Sequence, residues 1–219
     1  EITCRDWSSD VCSSDLTILD APGKLQNSWL LPQLVKLLES TGLSINQIDL
    51  FACTRGPGAF TGIRTGIATI QGLAIATGRP AIGVSSLEML AMNFPHSSLP
   101  VCVMLDARKE EVYTAIFNVT ELPETIAPEQ AIKPDELLSS LSAPTIFVGD
   151  GALRYSDLII ARLGKNAIFP PPSHNTTDPS CGAILAESLF STGAPSSPEL
   201  LLPTYLRLSE AELSRQQKI

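Results

Sequence analysis

The residue types that could do chemistry gather in a few places, beginning with Gly56-Pro-Gly-Ala-Phe-Thr-Gly-Ile-Arg-Thr-Gly66, a glycine-rich loop running into a long helix pattern. Unpaired N–H groups at a helix N-terminus, with the helix dipole behind them, favour an anion, so Gly56, Gly58 and Thr61 could cradle a phosphate of ATP. The same loop could be a tight strand-to-helix connection in which glycine supplies backbone freedom. A phosphate loop normally brings a lysine, and Arg64 is the nearest cation, so the connection is the preferred reading. In Asp106-Ala-Arg-Lys-Glu-Glu111 there is no glycine, and carboxylates stand where phosphate oxygens would sit, a like-charge arrangement unless a metal intervenes. Asp106 is a weak nucleotide-binding candidate and reads better as a turn residue at a strand end. Zinc hydrolysis needs about three protein ligands, typically two histidines on one helical face. His96 and His174 lie in separate Pro/Ser-rich loops, so no metal site is expected and a metallopeptidase lacks its ligands.

The elements that would hold these residues form two α/β units. Ser28 to Ser40 reads as an amphipathic helix with Leu31, Leu34, Val35 and Leu38 on one face and Gly42 beyond its end. Ile48 to Thr54 is an apolar strand; the helix after the loop begins at Thr61 as its N-cap. Ala81 to Val84 is a short strand, and Ser85 with Glu88 makes a capping box for the next helix. Asn93 to Pro100 reads as the domain boundary. Beyond it come a strand at Val101 to Leu105, a hairpin return at Val112 to Val119, a strand at Ile146 to Val148, and a helix from Ala152 to Leu163. Residues 170–178 form a loop, and Asp178 caps a last helix with Pro179 at its first position. The expected organisation is 17–95 as a first domain, 101–208 as a second, and 209–219 as a polar tail.

The helix after the loop is the least ordinary element. From Ile63 to Thr77 it has one charged residue in fifteen and no polar stripe wide enough to face water. Gly62 and Gly66 let another backbone approach, while Ile63, Ile67, Ile70 and Leu73 make a bulky row. One surface can cover the domain's own sheet, and the other needs a further element or another protein.

The 219-residue chain is 44% hydrophobic and carries a formal charge of −8. Four acids and one arginine in residues 1–16 supply −3 of that, leaving −5 on the rest. Such a balance is a poor grip on nucleic acid, because Lys and Arg neutralising phosphates supply most non-specific affinity. Nucleic-acid contact is therefore expected only as part of a complex. No run approaches the roughly 18 apolar residues of a membrane span. Beyond Cys4 and Cys12, the cysteines Cys53, Cys102 and Cys181 are unclustered and read as reduced core thiols.

Gly56 to Arg64, Gly78-Arg-Pro-Ala-Ile-Gly-Val-Ser-Ser-Leu-Glu88, Asp106 to Tyr113 and Pro203-Thr-Tyr-Leu-Arg207 stand in an order and spacing that resemble the TsaB (YeaZ) family, as does Leu30 to Leu38 in front of them. The resemblance covers roughly residues 24–210. It implies an actin-like (ASKHA), ribonuclease-H-like fold of two α/β domains. It also implies a non-catalytic subunit of the bacterial machinery that installs threonylcarbamoyladenosine in tRNAs reading ANN codons. The catalyst would be the paralogue TsaD, with the ATPase TsaE as a further partner, and ATP and metal would belong to those subunits.

The helix pair would then pack on the equivalent pair of TsaD, or of a second copy in a homodimer when TsaD is absent. Leu30, Leu34, Leu37, Gly62, Ile63, Gly66, Ile67 and Ile70 are the expected contacts, and a cytoplasmic location follows. The alternative is an actin-like ATP-binding enzyme. Residues 1–16 depart from the family: Arg5 to Leu16 resembles an in-frame read-through of a sequencing adapter, which would leave the first domain without its opening strands.

Overall fold

The period-two and period-3.6 patterns resolve into seven helices and seven strands among the described residues, which in this computed structural model are 26–207. The expectations for the leader, the opening strands and the tail from Ser209 lie outside them. The fold is α/β of the actin-like, ribonuclease-H-like kind, in two units.

The first unit contains α1 (Gln26–Thr41), β1 (Phe51–Gly56), α2 (Phe60–Thr77), β2 (Ala81–Ser85) and the start of α3 (Ser86–Ala91). β1 and β2 pair in parallel, Phe51 against Ala81 and Thr54 against Val84. α2 covers one face of this pair, where Ile67 and Ala74 are buried with Phe51, Ala81 and Leu201. Two of the expected caps are local and are found here. Gly42 takes a left-handed φ of 68° after α1, and Leu43 N–H donates to the Leu38 carbonyl at 3.0 Å. Ser85 Oγ accepts from the N–H groups of Leu87 and Glu88 at 3.1 and 3.3 Å.

The second unit is built on a sheet ordered β5-β4-β3-β6-β7. β3 (Val101–Asp106) pairs antiparallel with β4 (Val112–Val119), which pairs antiparallel with β5 (Pro123–Ile132). On the other side β3 runs parallel to β6 (Thr145–Val148), and β6 to β7 (Ala167–Ile168). As a central strand covered on both faces, β3 is apolar at successive positions rather than alternating. Cys102 and Met104 share a core with Ile116, Phe147 and Ile159, while Val101 and Val103 are fully buried as well.

Several elements differ from the sequence reading. β1 starts at Phe51 rather than Ile48, because Ile45–Gln47 forms a 3-10 turn with Ile48 as its C-cap. β5 is assigned no element from the sequence: Pro123, Pro128 and its glutamates resist a strand pattern, yet an edge strand tolerates proline, and the ladder to β4 is irregular between Thr114 and Ile116. α4 (Pro134–Ser139) and β7 are too short to show a period. The helix expected over 152–163 is two, α5 (Asp150–Arg154) and α6 (Ser156–Leu163), separated at Tyr155 with φ −105° and ψ 19°.

The expected second domain of 101–208 is also divided. α7 (Pro179–Ser191), capped by Asp178 accepting from Ser180 N–H at 2.9 Å, packs on β1 and β2, so Thr177–Pro203 belong with the first unit. The apolar face of a terminal helix carries no mark of which sheet it will cover. Among the described residues no helix is long and apolar enough to cross a membrane.

Candidate functional site

The signature loop is built as a connection. Gly56 closes β1 with φ 106°, at a bulge that displaces Arg55 to the surface, and both Gly56 and the cis Pro57 are buried. α2 begins at Phe60 with Ala59 as its N-cap and no side-chain cap bond. Thr61 therefore lies inside the first turn and is not the cap the sequence suggested. Space, not backbone angle, governs Gly58: a Cβ there would meet Ile63 Cδ1 at 3.5 Å, an ordinary contact. Arg64, the loop's nearest cation, stacks 3.8 Å over the Phe60 ring. Gly56, Gly58 and Thr61 thus sit in a shaped turn whose most constrained member, Gly56, serves the strand.

α2 presents two unlike faces. Ile67 is 5% exposed, and Ile63, Ile70 and Leu73 pack on the same core, so the bulky row belongs to the unit's interior. Of the row expected to meet a partner, Ile67 is committed to the unit's own core, while Ile63 and Ile70 are half-buried against it. The outer face carries Thr61, Arg64, Ala68, Gly72 and Ile75, with Ile75 61% exposed. Gly62 and Gly66 lie between the faces, and a Cβ on Gly66 would meet nothing within 4 Å.

α1 packs beside α2 and adds Leu30, Leu31 and Val35, all exposed. Leu34 and Leu37 are half-buried and turn toward an apolar cavity of about 650 Å³ between α1, β1 and α7. Leu30, on the same helix face as Leu34 and Leu37, is exposed. Leu31, Val35, Ala68, Gly72 and Ile75 are also exposed, and the recurrence of small residues at 61, 68, 72 and 76 marks a second face of α2 in the sequence. The result is a broad apolar surface with few charges, small residues on α2 and branched ones on α1, suited to close helix packing.

In the second unit the polar groups at the ends of β3 and β6 serve one another. Asp106 Oδ2 accepts from Arg154 at 3.0 Å and Oδ1 from Arg108 N–H at 3.0 Å, while Asp106 N–H donates to Asp150 Oδ1 at 3.0 Å. A Cβ on Gly149 would stand 2.3 Å from the Met104 carbonyl oxygen and one on Gly151 2.9 Å from it, so this turn is fitted to β3 backbone. Arg108, Lys109 and Glu110 have φ of 62°, 52° and 62°, a left-handed run that costs roughly 1–2 kcal/mol per residue. Arg207 pairs with Glu111 at 2.9 Å, joining two of the sequence signatures. Asp106 is thus a turn anchor whose oxygens are engaged inside the chain.

Among the described residues no group of three or more His, Cys, Asp or Glu side chains is placed to hold a metal. His96 donates its N–H to the Thr120 carbonyl at 2.9 Å, and His174 stacks on Phe94 with ring centroids 5.5 Å apart. Burial pushes the Cys53 thiol up to about 11 and the Cys102 thiol up to about 12. Cys181 is raised by burial and then by the Asp178 carboxylate.

Residues 24–213 match the family model described as TsaD: tRNA N6-adenosine threonylcarbamoyltransferase. The chain is similar to the tRNA threonylcarbamoyladenosine biosynthesis protein TsaB of Escherichia coli, 31% identical over 190 residues, 81% of this chain and 79% of that protein. It is also similar to TsaB of Bacillus subtilis, 28% identical over 83% of this chain and 80% of that one. Among solved structures, YeaZ from Pseudomonas aeruginosa superposes with a TM-score of 0.71 at 28% identity, covering 84% of this chain and 86% of that one.

Proposed function

This chain belongs to the TsaB (YeaZ) family, within the reach of the TsaD transferase model, and from that membership we propose that it is a non-catalytic docking subunit in tRNA threonylcarbamoyladenosine synthesis. The observation that carries this reading is the outer face of α1 and α2, apolar and open on one side while the other side is already committed to the core. An equivalent helix pair of the catalytic paralogue TsaD is the occupant, with a second copy of this chain taking its place when TsaD is absent. TsaE joins that assembly in the cytoplasm, tRNA is met only there, and ATP and metal reside on the partner subunits.

The transferase name of the family model favours a second reading, an ATP-using enzyme. Against it stand the carboxyl groups of Asp106 and Asp150, spent on Arg154 and on backbone N–H groups where a nucleotide's phosphates would need donors. The experiment combines purified chain and TsaD in size-exclusion chromatography with transferase assays of each alone and together. A heterodimer is expected, with activity only in the mixture, and millimolar Mg-ATP should leave the melting temperature of the chain alone unchanged. Transferase activity or ATP stabilisation of the chain by itself would establish the enzyme reading instead.

A further inference from the structure

We propose that the Arg108–Glu110 turn is a contact finger that presents Arg108 and Lys109 to the phosphodiester backbone of RNA. The turn is costly where it need not be. Three successive side-chain-bearing residues hold left-handed φ values of 62°, 52° and 62°, a region glycine occupies freely. Long charged side chains are kept at positions where glycine would relieve the backbone, and strain of this kind collects at functional sites.

The neck of the turn is fixed several times over. Ala107 N–H donates to the Glu111 carbonyl and Glu111 N–H to the Arg108 carbonyl, both at 3.0 Å, and Arg207 clamps the Glu111 carboxylate. The tip, by contrast, faces out: Lys109 and Glu110 are exposed, and the Arg108 side chain is 82% exposed. The Arg108 guanidinium stands 3.8 Å from Asp106 Oδ2, an oxygen that Arg154 already holds at 3.0 Å. Arg79, Arg162 and Arg207 are each tied to a carboxylate at 2.7–3.1 Å. Arg108 is thus a loosely matched cation in a chain of net charge −8, beside a second cation and on a rigid base.

Arginine recognises phosphate with its planar fork, and contacts of this kind position a nucleic acid without reading its sequence. Glu110 keeps the local charge low, which makes the finger a supplement to binding in a complex and not a grip of its own. The choice of RNA over an acidic protein surface rests on the proposed role in tRNA modification.

The test uses the assembled complex with TsaD and a tRNA transcript reading ANN codons, with affinity measured across a salt series. Arg108→Ala with Lys109→Ala should weaken binding about tenfold or more and flatten the salt slope by about one to two, while Arg162→Ala leaves both unchanged. Lys109→Gly should raise the melting temperature of the chain and still weaken tRNA binding. Normal affinity and slope for the double variant in an intact complex would overturn the proposal alone. Loss of complex formation in that variant would overturn it in favour of an acidic protein contact. Failure of the wild-type chain to bind TsaD would remove the functional reading itself, and the proposal with it.

Discussion

Two adjacent residues of α2, Ile67 and Ala68, should respond to the same substitution in opposite ways. Ile67 is 5% exposed among Phe51, Ala74, Ala81 and Leu201, whereas Ala68 lies on the open face. Ile67→Asp forfeits the burial of a whole side chain and sets a carboxyl group in an apolar core, a loss of roughly 4 kcal/mol or more. For a chain of this size that lowers the melting temperature by roughly 10 °C. Ala68→Asp costs the fold only about 0.7 kcal/mol in helix propensity. Under a docked helix, however, its unpaired carboxylate would cost about 2 kcal/mol of binding, roughly 30-fold in affinity. Thermal unfolding followed by circular dichroism, and titration of each variant with TsaD, separate the two losses. If Ala68→Asp melted as early as Ile67→Asp, or a folded Ala68→Asp bound TsaD with wild-type affinity, the assignment of inner and outer faces would be wrong.

The other expectations concern the glycines and the thiols. Gly149→Ala places a methyl group 2.3 Å from a backbone oxygen at φ 105° and should cost roughly 3 kcal/mol or more in urea unfolding, while Gly58→Ala, in ordinary contact, should stay within about 1 kcal/mol of wild type. Cys102, with its thiol raised to about 12, should resist iodoacetamide in the native chain at pH 8.5 and react once urea unfolds it. Because its folded value lies above the ordinary 9, its contribution to stability is fully present below pH 9 and is lost as pH rises toward 12; Cys102→Val should reduce that alkaline loss.

What was legible in the sequence was local. Gly42, Ser85 and Asp178 act as punctuation within a few residues of themselves, and each is found where its helix needs it. The apolar run from Val101 to Leu105 likewise marked β3 as a strand. Which face of α2 meets the core was not legible from counting apolar residues, since Arg64 is the helix's one charge and the outcome depends on what lies across from Ile67. β5 was hidden by prolines that matter less at a sheet edge, and the placement of α7 depended on contacts more than 90 residues away in sequence. The left-handed run at Arg108 was invisible because arginine, lysine and glutamate are not the residues that advertise such a backbone.

The return of Thr177–Pro203 to the first unit sets an order of events during synthesis. Leu201 is 4% exposed in the first core, it presses on Gly83, and Gln71 Nε2 donates to the carbonyls of Pro198 and Leu201 at 2.9 and 3.1 Å. Until those residues leave the ribosome, β1 and β2 lack part of their covering, although both strands emerged long before. At roughly 5–20 residues per second, the stretch from Met89 to Leu201 keeps the half-built unit waiting for roughly 6–22 s. The sheet from β3 to β7 meanwhile has all its strands in hand by Ile168. The covering of the first unit's strands therefore arrives after all the strands of the second unit, and a nascent chain stalled before α7 would present unfinished apolar surface to chaperones.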